Sequence, residues 1–422
     1  MTNATVWLPY AQMQTTLPPF EVVASHGSRL VLADGKELID GVASWWTACH
    51  GYNHPHIINA IQKQAAIMPH VMMGGLIHPQ ATRLAKRLAA ILPGTLDAVF
   101  FSESGSVAVE IAMKMALQFW MNQHQEQKHR FIYFEHGYHG DTFFTMSVCD
   151  PNEGMHRLFH RVLPTQHFQP LPTTDALLDN FANWLKKHAH ECAALLIEPL
   201  VQGAGGMKMH HPETLHAIAT LCKQHDVLVI ADEIFTGFGR TGSLFAIDQA
   251  NIVPDIICLS KALTGGTLPL AVTVASQHIF DGFLSDDSHK ALMHGTTFMG
   301  NALGCAAANA SLDLFESEPR LAQVATINAA LSQAFAPLAD IPGVKDVRTL
   351  GAIGVIQLER ALTSTEMSWF KQQCVNEGIW CRPIQDVVYT TPSLTIDPAD
   401  LSSLTAVIAK QVRAWSTLFY HA

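Results

Sequence analysis

Charge is scarce in this sequence. Lys, Arg, Asp and Glu make up 15% of its 422 residues, against roughly 25% in ordinary soluble domains. Cations are the rarer sign, 26 against 36 anions for a net charge of −10. They show no strong clustering, so the basic footprint of a nucleic-acid-binding protein is missing. A membrane-spanning run is missing too. The longest uncharged stretch, 291–312, contains His294, Thr296, Thr297, Asn301 and Asn309, which a bilayer core excludes. The first charged residue is Glu21 and the first basic one Arg29, which is not the pattern of a signal peptide. The eight cysteines form no CxxC pair. Buried reduced thiols in a soluble cytoplasmic chain are therefore expected, rather than disulfides or a zinc site. Histidines are plentiful, and His50, His54 and His56 lie close together. With no HExxH motif and no carboxylates at ligand spacing, no metal is expected. What remains is apolar: 48% of the chain before its 27 glycines are counted. That excludes disorder, and a surface so poor in charge points to coverage by a partner subunit.

No repeat or low-complexity linker interrupts the chain. Residues 1–54 read as an N-terminal arm with a small hairpin around Asp34-Gly35. From 55 to 310, helix and strand patterns alternate: an amphipathic helix at 79–92, a short buried strand at 98–101, and a helix at 106–120 that is apolar nearly all round. Glu110 and Lys114, an i,i+4 pair, are expected to share its one exposed strip. Three apolar runs at 193–197, 227–231 and 256–259 have the length and β-branched content of buried parallel strands, with a helix at 212–225 between the first two. This is an α/β pattern with a largely parallel sheet. Residues 311–422 read as a smaller α+β lobe, with which the arm is expected to associate.

Each of the three runs ends on ionisable or polar groups: Glu198, then Asp232-Glu233, then Ser260-Lys261. In open parallel sheets ligands bind beyond the carboxyl ends of the strands. A lone lysine at a strand end is ordinarily a solvated one, but Asp232 ends the preceding strand and changes the balance. A desolvated lysine that forms a Schiff base, with a carboxylate keeping a pyridinium nitrogen protonated, is what pyridoxal phosphate chemistry requires. Ser104-Gly105-Ser106 opens the helix after the 98–101 strand, where N–H groups and the helix dipole favour a phosphate. Alone, that tripeptide is also an ordinary helix start. Tyr138, in HGYHGD, supplies an aromatic face for a planar cofactor, although a turn tyrosine looks the same locally.

DEIFTGFGRTG (232–242) followed by SKALTGG (260–266) resembles the signature of the class III, fold-type I pyridoxal-phosphate aminotransferases. GVASWWTACHGYNHP (41–55), SGSVAVEIAMKMALQ (104–118), GYHGDTFFTMSVCDP (137–151), IEPLVQGAGGM (197–207), MHGTTFMGN (293–301) and LGAIGV (350–355) extend the likeness over most of the chain. The resemblance implies a large domain with a mostly parallel sheet between helices, and a smaller α+β domain. It implies Lys261 as the cofactor-binding lysine, Asp232 as partner of the ring nitrogen, and Tyr138 at the cofactor face and in the substrate pocket. Gly105 and Ser106 would hold the phosphate. Gly295, Thr296 and Thr297 would reach into the site of a neighbouring subunit, with Thr297 on the phosphate, in a homodimer with shared sites. Tyr10 and Trp45 would line the substrate pocket, and Arg382 would bind a substrate carboxylate, for which a planar guanidinium is suited. Asp141 and Arg240 read as supporting or donor-side residues, while Glu198 reads as a group that hydrogen-bonds inside the sheet edge and Glu233 as one that orients the cofactor's surroundings. The Trp45-Trp46 pair and MHGTTFMGN are narrower. They point to the branch of the family that aminates 8-amino-7-oxononanoate with S-adenosylmethionine as donor, in biotin synthesis. Leu8, Thr296, Phe235 and the stretch after Arg382 depart from the common family pattern. The alternatives at this point are an ω-aminotransferase for another amine, an aminomutase or decarboxylase, and a ligand sensor without catalysis. Adjacent tryptophans in an extended segment are expected to face opposite ways, one to the core and one to a cavity.

Overall fold

A computed structural model describes residues 6–152 and 156–420. Its centre is a seven-stranded sheet in the order Leu96–Ser102, Ala271–Ser276, Ile256–Leu259, Leu228–Asp232, Cys192–Ile197, Arg130–Phe134 and His167–Gln169. Ala271–Ser276 is antiparallel to both of its neighbours, and the other pairs are parallel. The three apolar runs read from the sequence are thus adjacent central strands, and every residue in them is buried. Such strands read as continuous apolar runs because helices cover both faces.

Side chains of these strands divide by alternation between two cores. Leu195, Ile197, Val229, Ala231, Ile257 and Leu259 share one core with helices Pro79–Ile91, Asp175–His188 and Pro212–Gln224. Ala194, Leu196, Leu228, Ile230, Ile256 and Cys258 pack on the opposite face against Gly105–Asn122. Burial of each large side chain contributes about 1.5–3 kcal/mol. The Gly105–Asn122 helix is buried along most of its circumference, and Trp120 Nε1 even donates to the Ala193 carbonyl beneath it at 2.8 Å. Glu110 and Lys114 do not share a strip as expected. Glu110 accepts from the Thr142 hydroxyl at 2.6 Å, while Lys114 donates to the Met293 carbonyl at 2.7 Å. Loops pack on this helix end, and their polar groups claim both charges.

Val22–His26, Arg29–Leu32 and Glu37–Asp40 form the N-terminal hairpin, and Ile379–Trp380 adds to its far edge in parallel. The arm is therefore tied to the C-terminal part of the chain. There, Val344–Leu350, Ile353–Leu358 and Val387–Thr390 make an antiparallel sheet beside helices Arg320–Phe335, Ser364–Asn376 and Pro398–Trp415. Position 310 lies inside the Ala302–Ser317 helix. All eight cysteines are buried and free. Among the described residues no helix is long and apolar enough to cross a membrane. His50, His54 and His56 each have a separate partner, Ser311 and Arg320, Glu318, and Asp313 respectively.

Candidate active site

Strand register brings the chemistry to one edge. Phe101 and Leu259 both pair with Val272, Asp232 pairs with Cys258, and Ala231 pairs with Ile197. The segments beginning at Ser102, Glu198, Asp232 and Ser260 consequently leave the sheet side by side. Lys261 opens a short turn at φ 48°, and its Nζ lies 4.3 Å from the centre of the Trp46 ring and 5.9 Å from that of Phe235. Loss of hydration pushes this amine down from 10.5 to about 8, although Asp232 and Glu198 pull the other way.

Asp232 is buried. One carboxylate oxygen accepts from the Ile234 N–H at 3.2 Å, and the other is 2.9 Å from His139 Nδ1. Burial alone would lower the pKa of His139; the hydrogen bond and charge of Asp232, aided by Glu198, outweigh it and raise it. Glu198 is pushed up to about 7 by burial and accepts the N–H groups of Tyr138 and Gly203 at 3.0 and 2.9 Å. Glu233, also lifted to about 7 by burial, turns away to the Thr236 hydroxyl and the Ile247 N–H. It braces the loop, as does Arg240. That buried guanidinium donates to the Ala352 and Pro392 carbonyls.

Ser104 caps the Gly105–Asn122 helix through Val107 N–H, which leaves the N–H groups of Gly105 and Ser106 without a partner among the described residues. A Cβ on Gly105 would come within 2.9 Å of Ile234, and one on Gly140 within 2.4 Å of Ser106 Oγ. The Ser106 hydroxyl accepts the Asp141 N–H at 3.0 Å. Two loops thus close on the helix start and leave backbone donors at its tip.

Tyr10, Trp45, Asp141 and Arg382 form the outer wall. The Tyr10 hydroxyl donates to Asp141 at 2.5 Å, and burial followed by that bond pushes its pKa up to about 12. Tyr10 meets Trp45 edge-on at 6.3 Å, and the Arg382 guanidinium lies 4.9 Å from the centre of the Trp45 ring. No carboxylate pairs with Arg382 among the described residues. Tyr138 stacks on His156, and burial raises its pKa well above the ordinary phenol value. Gly295, Thr296 and Thr297 are not brought to this cluster. They lie at the surface, where His70 Nε2 is 2.9 Å from the Thr297 carbonyl.

The two tryptophans do separate, but not through an extended strand. Ala43, Ser44, Trp45 and Trp46 all have positive φ, 44°, 46°, 55° and 73°. A left-handed turn of L-residues costs roughly 1–2 kcal/mol per residue. Trp46 is buried against Phe235 at 4.3 Å, and Trp45 is 39% exposed beside Tyr10. Sequence reasoning missed His139. It stands in the same HGYHGD motif as Tyr138, yet nothing local separates a buried partner of Asp232 from any other histidine. Phe235 departs from the family pattern in sequence, and the structure shows it as the ring against Trp46.

The chain as a whole has relatives among known proteins. The chain matches the family model "Aminotransferase class-III" over residues 10–412, and it belongs to that family. It is 42% identical over 411 residues, 96% of this chain and 95% of the other, to the protein of Buchnera aphidicola subsp. Acyrthosiphon pisum named adenosylmethionine-8-amino-7-oxononanoate aminotransferase. The crystal structure of the protein so named from Methanocaldococcus jannaschii superposes with a TM-score of 0.93 at 32% identity, covering 97% of each chain. An amine transaminase from an uncultivated Pseudomonas species, solved in a PLP-bound form, gives 0.89 at 28% identity over 97% of this chain and 98% of that one.

Proposed function

We propose that this chain converts 8-amino-7-oxononanoate to 7,8-diaminononanoate, using pyridoxal phosphate as cofactor and S-adenosylmethionine as amino donor, in biotin synthesis. The observation that carries the reading is a desolvated lysine and a buried carboxylate at the ends of adjacent strands, with an arginine on an aromatic wall that has no carboxylate partner among the described residues. The curated relatives at 41–43% identity bear the corresponding name.

The residues fit the cofactor. Unpartnered N–H groups of Gly105 and Ser106 suit its phosphate, Asp232 its ring nitrogen, and Lys261 its aldehyde. When bound, pyridoxal phosphate supplies the electrophile for an amine and a ring that takes up negative charge. Asp232, fixed by His139, would keep a proton at the ring nitrogen. Lys261 is partly uncharged near neutral pH, so its Nζ can take the proton from the substrate carbon that bears nitrogen and return it in the reverse half-reaction. Tyr138 covers the site and, with Trp45 and Tyr10, encloses the apolar chain of the keto acid. Arg382 takes that chain's carboxylate. In the other half-reaction the same rings face the adenine and the sulfonium of the donor, with Asp141 on the donor side.

The active form is proposed to be a cytoplasmic homodimer. Ile67, Met72, Leu76, Ile77, Met293 and Phe298 are exposed, and contacts of His70 with Thr297 and Phe298 place the two segments side by side. A second copy would cover this apolar face and receive Gly295, Thr296 and Thr297 at its own site. The test is a panel of amine donors assayed against 8-amino-7-oxononanoate. Product formation with S-adenosylmethionine supports the reading. Formation only with lysine or another amine replaces the donor, and failure with every donor rejects the acceptor.

A further inference from the structure

Four consecutive non-glycine residues in the left-handed region, at 43–46, need something to hold them. Two backbone bonds close the turn, from Trp46 N–H to the Val42 carbonyl and from Thr47 N–H to the Ala43 carbonyl, both at 2.9 Å. Ala48 N–H and the Thr47 hydroxyl add bonds to the Ala43 and Ser44 carbonyls on the exit side, while the bonds on the entry side converge on one buried carboxylate. Asp40, 2% exposed, accepts the Val42 N–H at 2.9 Å, the Ser44 N–H at 2.8 Å and the Tyr52 hydroxyl at 2.5 Å. The Ser44 hydroxyl in turn bonds the Tyr52 hydroxyl. No cation pairs with Asp40 among the described residues. A buried carboxylate with no cation, spent on backbone N–H groups of a strained turn, is expensive to keep for packing alone.

What the turn presents gives it a purpose. One of its residues, Trp45, supports Arg382 and meets Tyr10; the next, Trp46, lies over the Lys261 amine. We infer that Asp40 and Tyr52 are positioning residues, which hold the Ala43–Trp46 turn so that one tryptophan sets the substrate-carboxylate site while its neighbour sets the surroundings of Lys261. The inference rests on the aminotransferase reading for its substrate arm. The side-chain bonds of Asp40 and Tyr52 go to the turn itself, so they act through Trp45 and Trp46.

Tyr52→Phe removes the hydroxyl that bridges Asp40 and Ser44 while keeping the ring. In the cofactor-loaded dimer, KM for 8-amino-7-oxononanoate is expected to rise about tenfold with a smaller change in kcat. The pH at which the bound cofactor's visible band changes should move by about half a unit or more, because Trp46 both shields the amine and faces its charge. Near-UV circular dichroism of the tryptophans should change with the far-UV spectrum intact. The optical readings need no turnover, so they stand even if the donor or acceptor is misassigned. If Tyr52→Phe does not fold or load cofactor, Ser44→Ala, which deletes only the smaller hydroxyl, is expected to shift the same readings in the same directions by less. A loaded variant with unchanged KM, band position and near-UV spectrum overturns the inference. So does a folded, loaded Ser44→Ala protein with all three readings unchanged where Tyr52→Phe does not fold.

Discussion

Arg382 offers the sharpest quantitative test of the substrate arm. Its guanidinium is partly buried, rests 4.9 Å from the centre of the Trp45 ring, and has no carboxylate partner among the described residues. Arg382→Ala deletes a guanidinium beside Trp45 without breaking an internal ion pair among the described residues, so folding should be little affected. A hydrogen bond to a charged group is worth about 1.5–3 kcal/mol, and partial exposure argues for the middle of that range. About 2 kcal/mol corresponds to roughly a 30-fold rise in KM for 8-amino-7-oxononanoate. Because the carboxylate is remote from the reacting carbon, kcat should change much less. Arg382→Lys keeps the charge but not the fork and should fall between the two. The assay is steady-state kinetics with the keto acid varied at saturating donor, repeated with the donor varied. An unchanged KM for the keto acid, with a rise confined to the donor, would refute the assignment.

Asp232→Asn is expected to retain pyridoxal phosphate, held by its other contacts, and to lose most turnover, because the amide cannot keep the ring nitrogen protonated. His139→Gln should show the same defect in milder form, measured as kcat with bound cofactor quantified. Lys261, pushed down to about 8 by burial, should make cofactor uptake by the cofactor-free protein accelerate with pH and level off above about pH 8; a rate flat from pH 6.5 to 9.5 contradicts that. Glu233 is raised from 4.5 to about 7 by burial. The native protein thus holds a proton that the unfolded chain releases, and this contribution is present below pH 4.5 and lost as pH rises through 7. Glu233→Gln keeps the acceptor oxygen without the charge. Between pH 5 and 8.5 it should lose less stability than the parent, by on the order of 3 kcal/mol, read as unfolding midpoints across pH.

The central sheet was legible because its physics is local in sequence. Strands 192–197, 228–232 and 256–259 are buried on both faces, so each appears as an unbroken apolar run that stops where the chain meets the ligand edge. Lys261 and Asp232 stood at those stops. The wall was harder to read. Tyr10, Asp141 and Arg382 lie far apart in the chain, and only family likeness joined them before the structure did. The left-handed turn was not legible at all. Ala-Ser-Trp-Trp has no glycine to announce positive φ, and its restraint comes from Asp40 and Tyr52 on either side. The Glu110–Lys114 pairing failed for a related reason, since helix spacing identifies neighbours but not the loops that later cover them.

The claim on which the rest depends is that the lysine beside Asp232 is the one that binds the cofactor. Borohydride reduction of the cofactor-loaded protein, followed by proteolysis and mass spectrometry, tests it directly. One modified peptide is expected, carrying the cofactor's mass on Lys261, and Lys261→Ala should give none. Modification of a different lysine, with Lys261 recovered unmodified, would contradict the account.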